Sequence, residues 1–523
     1  MTITEWFLFF LLLQVVHFLG TWKLYQKAGR KAWEAAIPVY NAVILMKIIK
    51  RPWWWTLLLF IPIVNLIIFP VIWVETIRSF GKSSTLDTIL VLLTFGLYIY
   101  YINYFLDVTY KEDRSLHPPT AAGEWVSSIL FAVVAATIVH TYIMQPFTIP
   151  TSSLEKTLLV GDYLFVSKFH YGARVPMTAI AFPMVHDTIP GLGVKSYLKR
   201  PQIPYFRLPG FEDIERNDIV VFNWPVDTVR KFFDRSGEHY DKPIDKKSNY
   251  VKRAVGIPGD SLEIIDGRIS INGEPLQLPG RAKIQYSYLG TTKGQGFSAQ
   301  QLYETYGITD GFGYDSNTNQ FYIKSMTEEA LERFRNHPNV ASIERYVSKA
   351  GEKESTIFPN NNKVDWNRDN MGPVYIPKEG ETIEMNLKNF SLYRRVIEVY
   401  EGLEIGIDNK LSVNGTEILL NGQPIKTYTF KQNYYWMMGD NRHNSEDSRY
   451  WGFVPETHVV GKPVFIWLSI DPNASGFLDS IRWERVFTTV SGEGSKVSYL
   501  PYFLILIVLW IGYSYFRKRK REK

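Results

Sequence analysis

Cysteine is absent from the 523-residue sequence. That excludes disulfides, thiolate metal sites and cysteine nucleophiles, and leaves any folded domain to stand on packing alone. Histidine is sparse: nine residues are scattered without an H-E-x-x-H pair, so metal-dependent hydrolysis finds no ligand set and no metal or other cofactor is expected. A basic leader is missing too. The first apolar run follows MTITEW, with no Lys or Arg before it and no small-residue cleavage site behind it, and is expected to stay in the mature chain. Charged residues make up 21% against 46% hydrophobic and 15% aromatic, yet the mean hydropathy is −0.11. Apolar residues must therefore be concentrated in parts of the chain, as in a protein only partly embedded in a membrane.

Five stretches approach the ~20 apolar residues that a bilayer crossing needs: roughly 3 to 22, 53 to 74, 88 to 106, 124 to 144 and 497 to 516. Pro62, Asn65 and Pro70 interrupt the second. The formal charge of +6 would suit a nucleic-acid binder, but the basic residues gather beside apolar segments, which favours membrane topology and no nucleic acid. Lys23, Lys27, Arg30, Lys31, Lys47, Lys50 and Arg51 follow the first span and Arg517 to Arg521 follow the last, so both regions are expected in the cytoplasm. Counting spans then puts the N-terminus and everything from about 146 to 495 outside. Trp53, Trp54 and Trp55 read as interfacial anchors.

The external segment reads as strands. GDYLFVSKF (161 to 169), DIVVFNW (218 to 224), YVKRAVG (250 to 256), YYWMMG (434 to 439) and VVGKPVFIWLS (459 to 469) are short, rich in β-branched and aromatic residues, and bounded by turn formers. Asp266-Gly267, Asn272-Gly273 and Asn421-Gly422 are hairpin signals. From about 275 to 420 the chain turns polar and charged, with a helix predicted at TEEALERFRNH, 327 to 337. The expected fold class is a multi-span α-helical membrane anchor plus a mainly β external domain with an inserted α+β subdomain. Its expected boundaries are a membrane region over 1–145, a β domain over 146–274 and 421–495, the insert over 275–420, and a last span with a basic tail over 496–523.

Four strings stand out: QPFTIPTSSLEKTLLVGDYLFVSKFHYG (145 to 172), NDIVVFNWP (217 to 225), NYVKRAVGIPGDSLEI (249 to 264) and MMGDNRHNSEDSRYWGFVPETHVVGK (437 to 462). Together they resemble the four boxes of bacterial type I signal peptidases, or leader peptidases, Ser/Lys proteases of the cytoplasmic membrane. The resemblance implies a signal-peptidase-like β fold with Ser153 as nucleophile and Lys252 as general base. It places Thr151 where a hydroxyl helps the Ser153 N–H hold the oxyanion, and Ser445 where a serine hydrogen-bonds and orients the lysine. Asp440, Arg442, Asp447 and Arg449 match residues that brace the site as charge pairs. Phe147, Ile149, Leu154, Leu158, Tyr250 and Val251 match positions that line the substrate pockets. The sequence departs from the family at Ser152, where a glycine is usual, at Leu154 in place of methionine, and at Lys156 in place of proline. The resemblance implies secretory preproteins as substrates, the lipid bilayer as surroundings, a place for contact with the protein export machinery, and residence in the bacterial inner membrane with the catalytic domain outside and the C-terminus in the cytoplasm.

Elementary chemistry agrees with such a pair. A serine hydroxyl needs a base, and a lysine serves only when neutral, so its pKa must fall from ~10.4 toward ~7 through desolvation. On a strand Lys252 shares a face with Tyr250 and Ala254, while Arg253 is expected to point away to solvent. A Ser-His-Asp triad is the enzymatic competitor, since His170 and His443 flank the boxes; His170 is read as capping or packing beside its strand, and His443 as occupying a variable position. A non-enzymatic envelope scaffold or transport component with a β binding domain is the competitor from another class.

Overall fold

A computed structural model describes residues 1–118, 120–230, 234, 236–361, 364–474, 476 and 478–521; the last two residues of the expected basic tail, Glu522 and Lys523, lie outside them. The chain divides into two compact units. The first holds residues 1–143, 174–208 and 229–246, the second 144–173, 209–228 and the chain from 247 onward. The stretches 174–208 and 229–246, expected in the β domain, thus group with the membrane helices.

Helix Ile3–Lys27 opens the first unit, started by a capping box in which the Thr2 hydroxyl accepts from the Glu5 N–H at 3.2 Å and the Glu5 carboxylate accepts from the Thr2 N–H at 2.8 Å. Among the described residues three helices are long and apolar enough to cross a membrane: Ile3–Lys27, Ala121–Ile143 and, in the second unit, Leu500–Lys520. Of the five expected spans, the second of them already interrupted by prolines, three match these helices, and the one over 88 to 106 is a bent pair, Thr85–Leu93 with Tyr98–Phe105, which turns by 117°. The expected span over 53 to 74 is divided into Trp55–Leu58 and Val64–Ser79, with Ile63 at φ 70° between them just after Pro62. Proline lacks the N–H that would carry a helix through that point. In the same unit the buried Glu75 carboxylate meets three guanidinium groups, Arg114 at 2.6 Å, Arg78 at 2.9 Å and Arg51 at 3.0 Å.

The second unit is built on a curled eight-stranded antiparallel sheet. Its strands are β1 (Met144–Thr148), β2 (Asp162–Ser167), β3 (Ile219–Asn223), β4 (Asn249–Gly256), β5 (Tyr434–Met438), β6 (Val454–Pro455) and β7 (Val459–Ser469), with the short Thr488–Thr489 added to β7. They run in the order β1, β2, β7, β3, β4, β5, β6, so β1 is an edge strand. The expected turns form where both residues adopt positive φ, as two-residue hairpins of the type I′ kind require: Asp266 and Gly267 at 48° and 74°, Asn421 and Gly422 at 51° and 81°.

The stretch from 275 to 420 folds as two bodies of structure. Residues 285 to 345 make a four-stranded sheet with its own apolar core around Phe321 and Phe334. Its helix Glu328–Phe334 is capped by the Thr327 hydroxyl, which accepts from the Ala330 N–H at 3.2 Å. The rest, including the helix Leu387–Arg395, shares one core with β4 and β5 through Val374, Tyr393, Phe430, Trp436 and Phe453. Each large side chain fully buried there contributes about 1.5–3 kcal/mol, so this part is fastened to the sheet by apolar area.

Candidate active site

Edge strand β1 ends at Thr148; Ile149-Pro150 then lead to a single 3-10 turn, Ser152–Leu154, entered from Thr151 in extended conformation. The turn is tethered at both serines: the Asn441 backbone N–H donates to the Ser153 carbonyl at 3.1 Å, and its side-chain amide donates to the Ser152 carbonyl at 3.1 Å. Asn444 adds a hydrogen bond to Ser152 Oγ at 2.8 Å. Ser153 is thereby held nearly buried, whereas Thr151 is exposed.

Lys252 lies on β4 opposite Val220 of β3 and is 3% exposed. Its Nζ donates to Ser153 Oγ at 2.5 Å and lies 5.4 Å from the centre of the Tyr250 ring. Burial pushes the ammonium down to about 8; Asp447, Glu446 and Asp440 pull against that shift, and Arg449 adds to it. The Tyr250 ring continues into an aromatic cluster with Trp224 at 5.2 Å and Trp451 at 5.5 Å, which keeps water from that side of the amine.

Two ion pairs brace the loop that faces the dyad. Arg449 grips Asp447 through two hydrogen bonds, Nε to Oδ1 at 2.9 Å and Nη2 to Oδ2 at 2.8 Å, and Asp447 also accepts from the Gly439 N–H at 3.1 Å. Asp440 is gripped the same way, but its partner is Arg253, at 2.8 and 2.6 Å, with the Thr157 hydroxyl donating to it at 2.6 Å. This corrects two expectations. Arg253 does leave the face of Lys252, but that second face is itself covered by the 440s loop, and a guanidinium 2% exposed requires a carboxylate. Arg442, expected in a charge pair, is buried without one: among the described residues no ion pair reaches it and its Nε has no hydrogen-bond partner. Burial accordingly lowers its pKa.

Ser445 is buried where the resemblance puts it, yet its hydroxyl makes no hydrogen bond to Lys252 or to any other described residue. It presses on Gly439 instead. A Cβ at that glycine would lie 2.3 Å from Ser445 Oγ and 2.5 Å from the Ser153 carbonyl oxygen, so only glycine allows the loop to approach the Ser152–Leu154 turn. Of the expected pocket residues, Ile149, Leu154 and Leu158 are buried together with Leu164, Ile219 and Ile466, and Val251 packs on their edge. Phe147 packs with Val251 on a neighbouring cluster, and both remain partly exposed. Tyr250 stands apart from these, on the lysine's face.

Neither flanking histidine reaches the serine. His443 Nδ1 accepts from the Ser287 N–H at 2.9 Å and its Nε2 lies 2.8 Å from Asp369, an arrangement that requires the neutral imidazole with its proton on Nε2. His170 meets Ser167 and stacks on Phe169.

Sequence reasoning overlooked the residues that join the polar insert to the site. Gln285 exchanges backbone hydrogen bonds with Asp440 and Arg442, both at 2.9 Å. Asn441, fully buried, spends its side chain on Ser152, on Asp310 at 2.7 Å and on Ser325 at 2.8 Å. The GDNR string displayed Asn441, but Asp310 and Ser325 carry no local signal.

Comparison with known proteins bears on the whole arrangement. The family model described as signal peptidase, peptidase S26, matches residues 122–333 and 362–468, and a family of unknown function (DUF5684) matches 33–113. The chain is similar to signal peptidase I of Buchnera aphidicola subsp. Acyrthosiphon pisum, 25% identical over 353 residues, which cover 68% of this chain and 77% of that one. It is 24% identical over 397 residues to signal peptidase I of Haemophilus influenzae, covering 73% and 79%. With signal peptidase I of Helicobacter pylori the identity is 25% over 381 residues, covering 71% and 92%.

Proposed function

Because the chain belongs to the signal peptidase family, peptidase S26, and is thus a serine endopeptidase, we propose that it removes N-terminal signal peptides from exported preproteins with Ser153 as nucleophile and Lys252 as base. The observation that carries this reading is the 2.5 Å contact between Lys252 Nζ and Ser153 Oγ in a buried setting. Neutral Lys252 takes the serine proton as Oγ attacks the scissile carbonyl. The Ser153 N–H and the exposed Thr151 hydroxyl stabilise the oxyanion. The lysine, now charged, hands its proton to the leaving amine. Lys252, neutral again, deprotonates a water that attacks the acyl-enzyme carbonyl, and returns that proton to Ser153 Oγ as the acyl–oxygen bond breaks.

The free edge of β1 offers the extended signal segment a place to add as a strand, beside the partly exposed Phe147 and Val251. In this reading the catalytic β domain, its insert and a signal-peptidase-like fold stand on the external face of the inner membrane, with the N-terminus outside, the C-terminal tail in the cytoplasm, and the bent helix pair counted with the anchor. Bilayer lipid and the export machinery are its surroundings. Anchoring the cleft where the substrate's own apolar segment is lodged raises the effective concentration without new contacts.

The experiment is cleavage of a secretory precursor by the membrane-reconstituted protein and its Ser153→Ala and Lys252→Ala variants. Loss of cleavage in both is expected; cleavage at the unaltered rate by either variant refutes the dyad.

A further inference from the structure

Three guanidinium groups share one carboxylate in the first unit. Arg51, Arg78 and Arg114 meet Glu75 at 3.0, 2.9 and 2.6 Å, and among the described residues no other acidic side chain pairs with them. Three cations against one anion leave a net charge of +2, on arginine side chains only 23%, 14% and 8% exposed. Charges so far withdrawn from water need counter-charge, and Glu75 supplies a third of it. The carbonyls of Leu116, His117 and Ile49 accept from Arg51, Arg78 and Arg114, but they bring dipoles rather than charge. Arg51 Nη1 and Arg78 Nε make no hydrogen bond to any described residue, and both reach the surface.

The cluster stands where apolar helices end. Lys27, the last residue of the helix Ile3–Lys27, pairs with Asp107 at 3.5 Å. From there the chain crosses the ends of neighbouring segments: the Tyr110 hydroxyl donates to the Ile48 carbonyl at 2.8 Å, the Lys111 N–H to the Ser79 carbonyl at 2.8 Å, and Arg114 to the Ile49 carbonyl at 2.9 Å. The next helix long and apolar enough to cross a membrane begins at Ala121. The guanidiniums therefore lie at the surface of any bilayer that these two helices cross, at the level of its phosphate groups. Beside them is an apolar platform. The Arg51 guanidinium lies 5.2 Å from the centre of the Trp55 ring, Trp55 meets Trp54 at 6.3 Å, and Trp53 and Trp54 are exposed.

We propose that Arg51, Arg78 and Arg114 form a binding site for an anionic phospholipid, whose phosphodiester takes the open N–H donors of Arg51 and Arg78 and whose acyl chains lie along the exposed tryptophans. Planar guanidinium forks match phosphate oxygens, and basic pockets between helices at a membrane surface are where headgroups bind. A lipid suits the site better than a soluble anion, because the platform offers apolar contact next to the charge. Arg51, Glu75 and Arg78 fall in the stretch 33–113 matched by the family of unknown function, so the site gives that stretch a role separate from peptide cleavage.

The test titrates the full-length protein in detergent with phosphatidylglycerol or phosphatidylcholine and reads the affinity of the first bound lipid by native mass spectrometry. Phosphatidylglycerol is expected to bind about 25-fold more tightly, roughly five-fold for each of the two charges that Glu75 leaves unmatched. Arg51→Gln, which keeps Glu75 paired with both remaining guanidiniums, should lower that ratio about five-fold. Arg78→Gln, at the other open donor, gives a second reading should the first variant disturb folding. Lys518→Gln with Arg519→Gln, in the exposed C-terminal tail, should leave the ratio unchanged and so separates a built site from general positive charge. A ratio near one in the unaltered protein, an unchanged ratio in both arginine variants, or a fall in the tail variant as large as theirs overturns the proposal. So does displacement of phosphatidylglycerol by an equal concentration of glycerol phosphate, which would make the ligand a soluble anion.

Discussion

Lys252 Nζ lies 2.5 Å from Ser153 Oγ, closed in by Tyr250 on one side and by the braced 440s loop on the other. Because burial holds the ammonium at about 8, only a minority of molecules carry the neutral base at pH 7. Below that value kcat/KM should climb about ten-fold per pH unit and then level off above it. A rate profile measured from pH 6 to 10 that stays flat would dismiss a lysine base.

The same burial makes the charged lysine a burden on the fold. Its folded pKa lies below the unfolded one, so between about 8 and 10.5 the unfolded chain binds more protons and stability rises with pH; below 8 the full penalty is present. Lys252→Met should therefore be inactive yet more stable at pH 6, by about 1–3 kcal/mol in chemical denaturation. A less stable variant would show that the ammonium is well compensated in place.

Asp440 and Arg253 form the buried pair behind the site. Removing one member strands a charge, so Asp440→Leu should lose about 3–5 kcal/mol, and the double change with Arg253→Met should recover most of it. Equal stability of the single and double variants would count against the pair.

Asp310 accepts from the Asn441 side chain, which also donates to the Ser152 carbonyl beside Ser153. As a positioning residue its replacement by Ala should lower kcat about ten-fold while KM and the pH profile stay put. A shifted pH profile would mean that Asp310 acts on Lys252 electrostatically.

His443 is occupied at both ring nitrogens away from Ser153. His443→Ala should keep activity within about ten-fold of the unaltered protein while losing about 1–3 kcal/mol of stability for the unpaired Ser287 N–H and Asp369. Activity as low as that of Ser153→Ala would restore the histidine mechanism.

What the amino-acid order by itself determined is what local chemistry decides. Asp266-Gly267 and Asn421-Gly422 turn where positive φ is tolerated, Thr327 caps its helix three residues on, and the strands carry β-branched and aromatic residues in short bounded runs. The four boxes were legible for the same reason, each being a continuous string. Tertiary structure alone decided the rest, because it turned on which distant surfaces meet. Alternation put Arg253 on the far side of β4 from Lys252, but whether that side met water or a carboxylate depended on Asp440, 187 residues away. Pro62 already marked the second apolar run as interrupted, at the residue before the break at Ile63, but hydropathy did not show the 117° bend, where backbone conformation overrides composition. The insert, read as a separate polar subdomain, meets the 440s loop through Gln285, Ser287, Asp310, Ser325 and Asp369, whose hydrogen bonds to that loop form between segments that no local pattern connects.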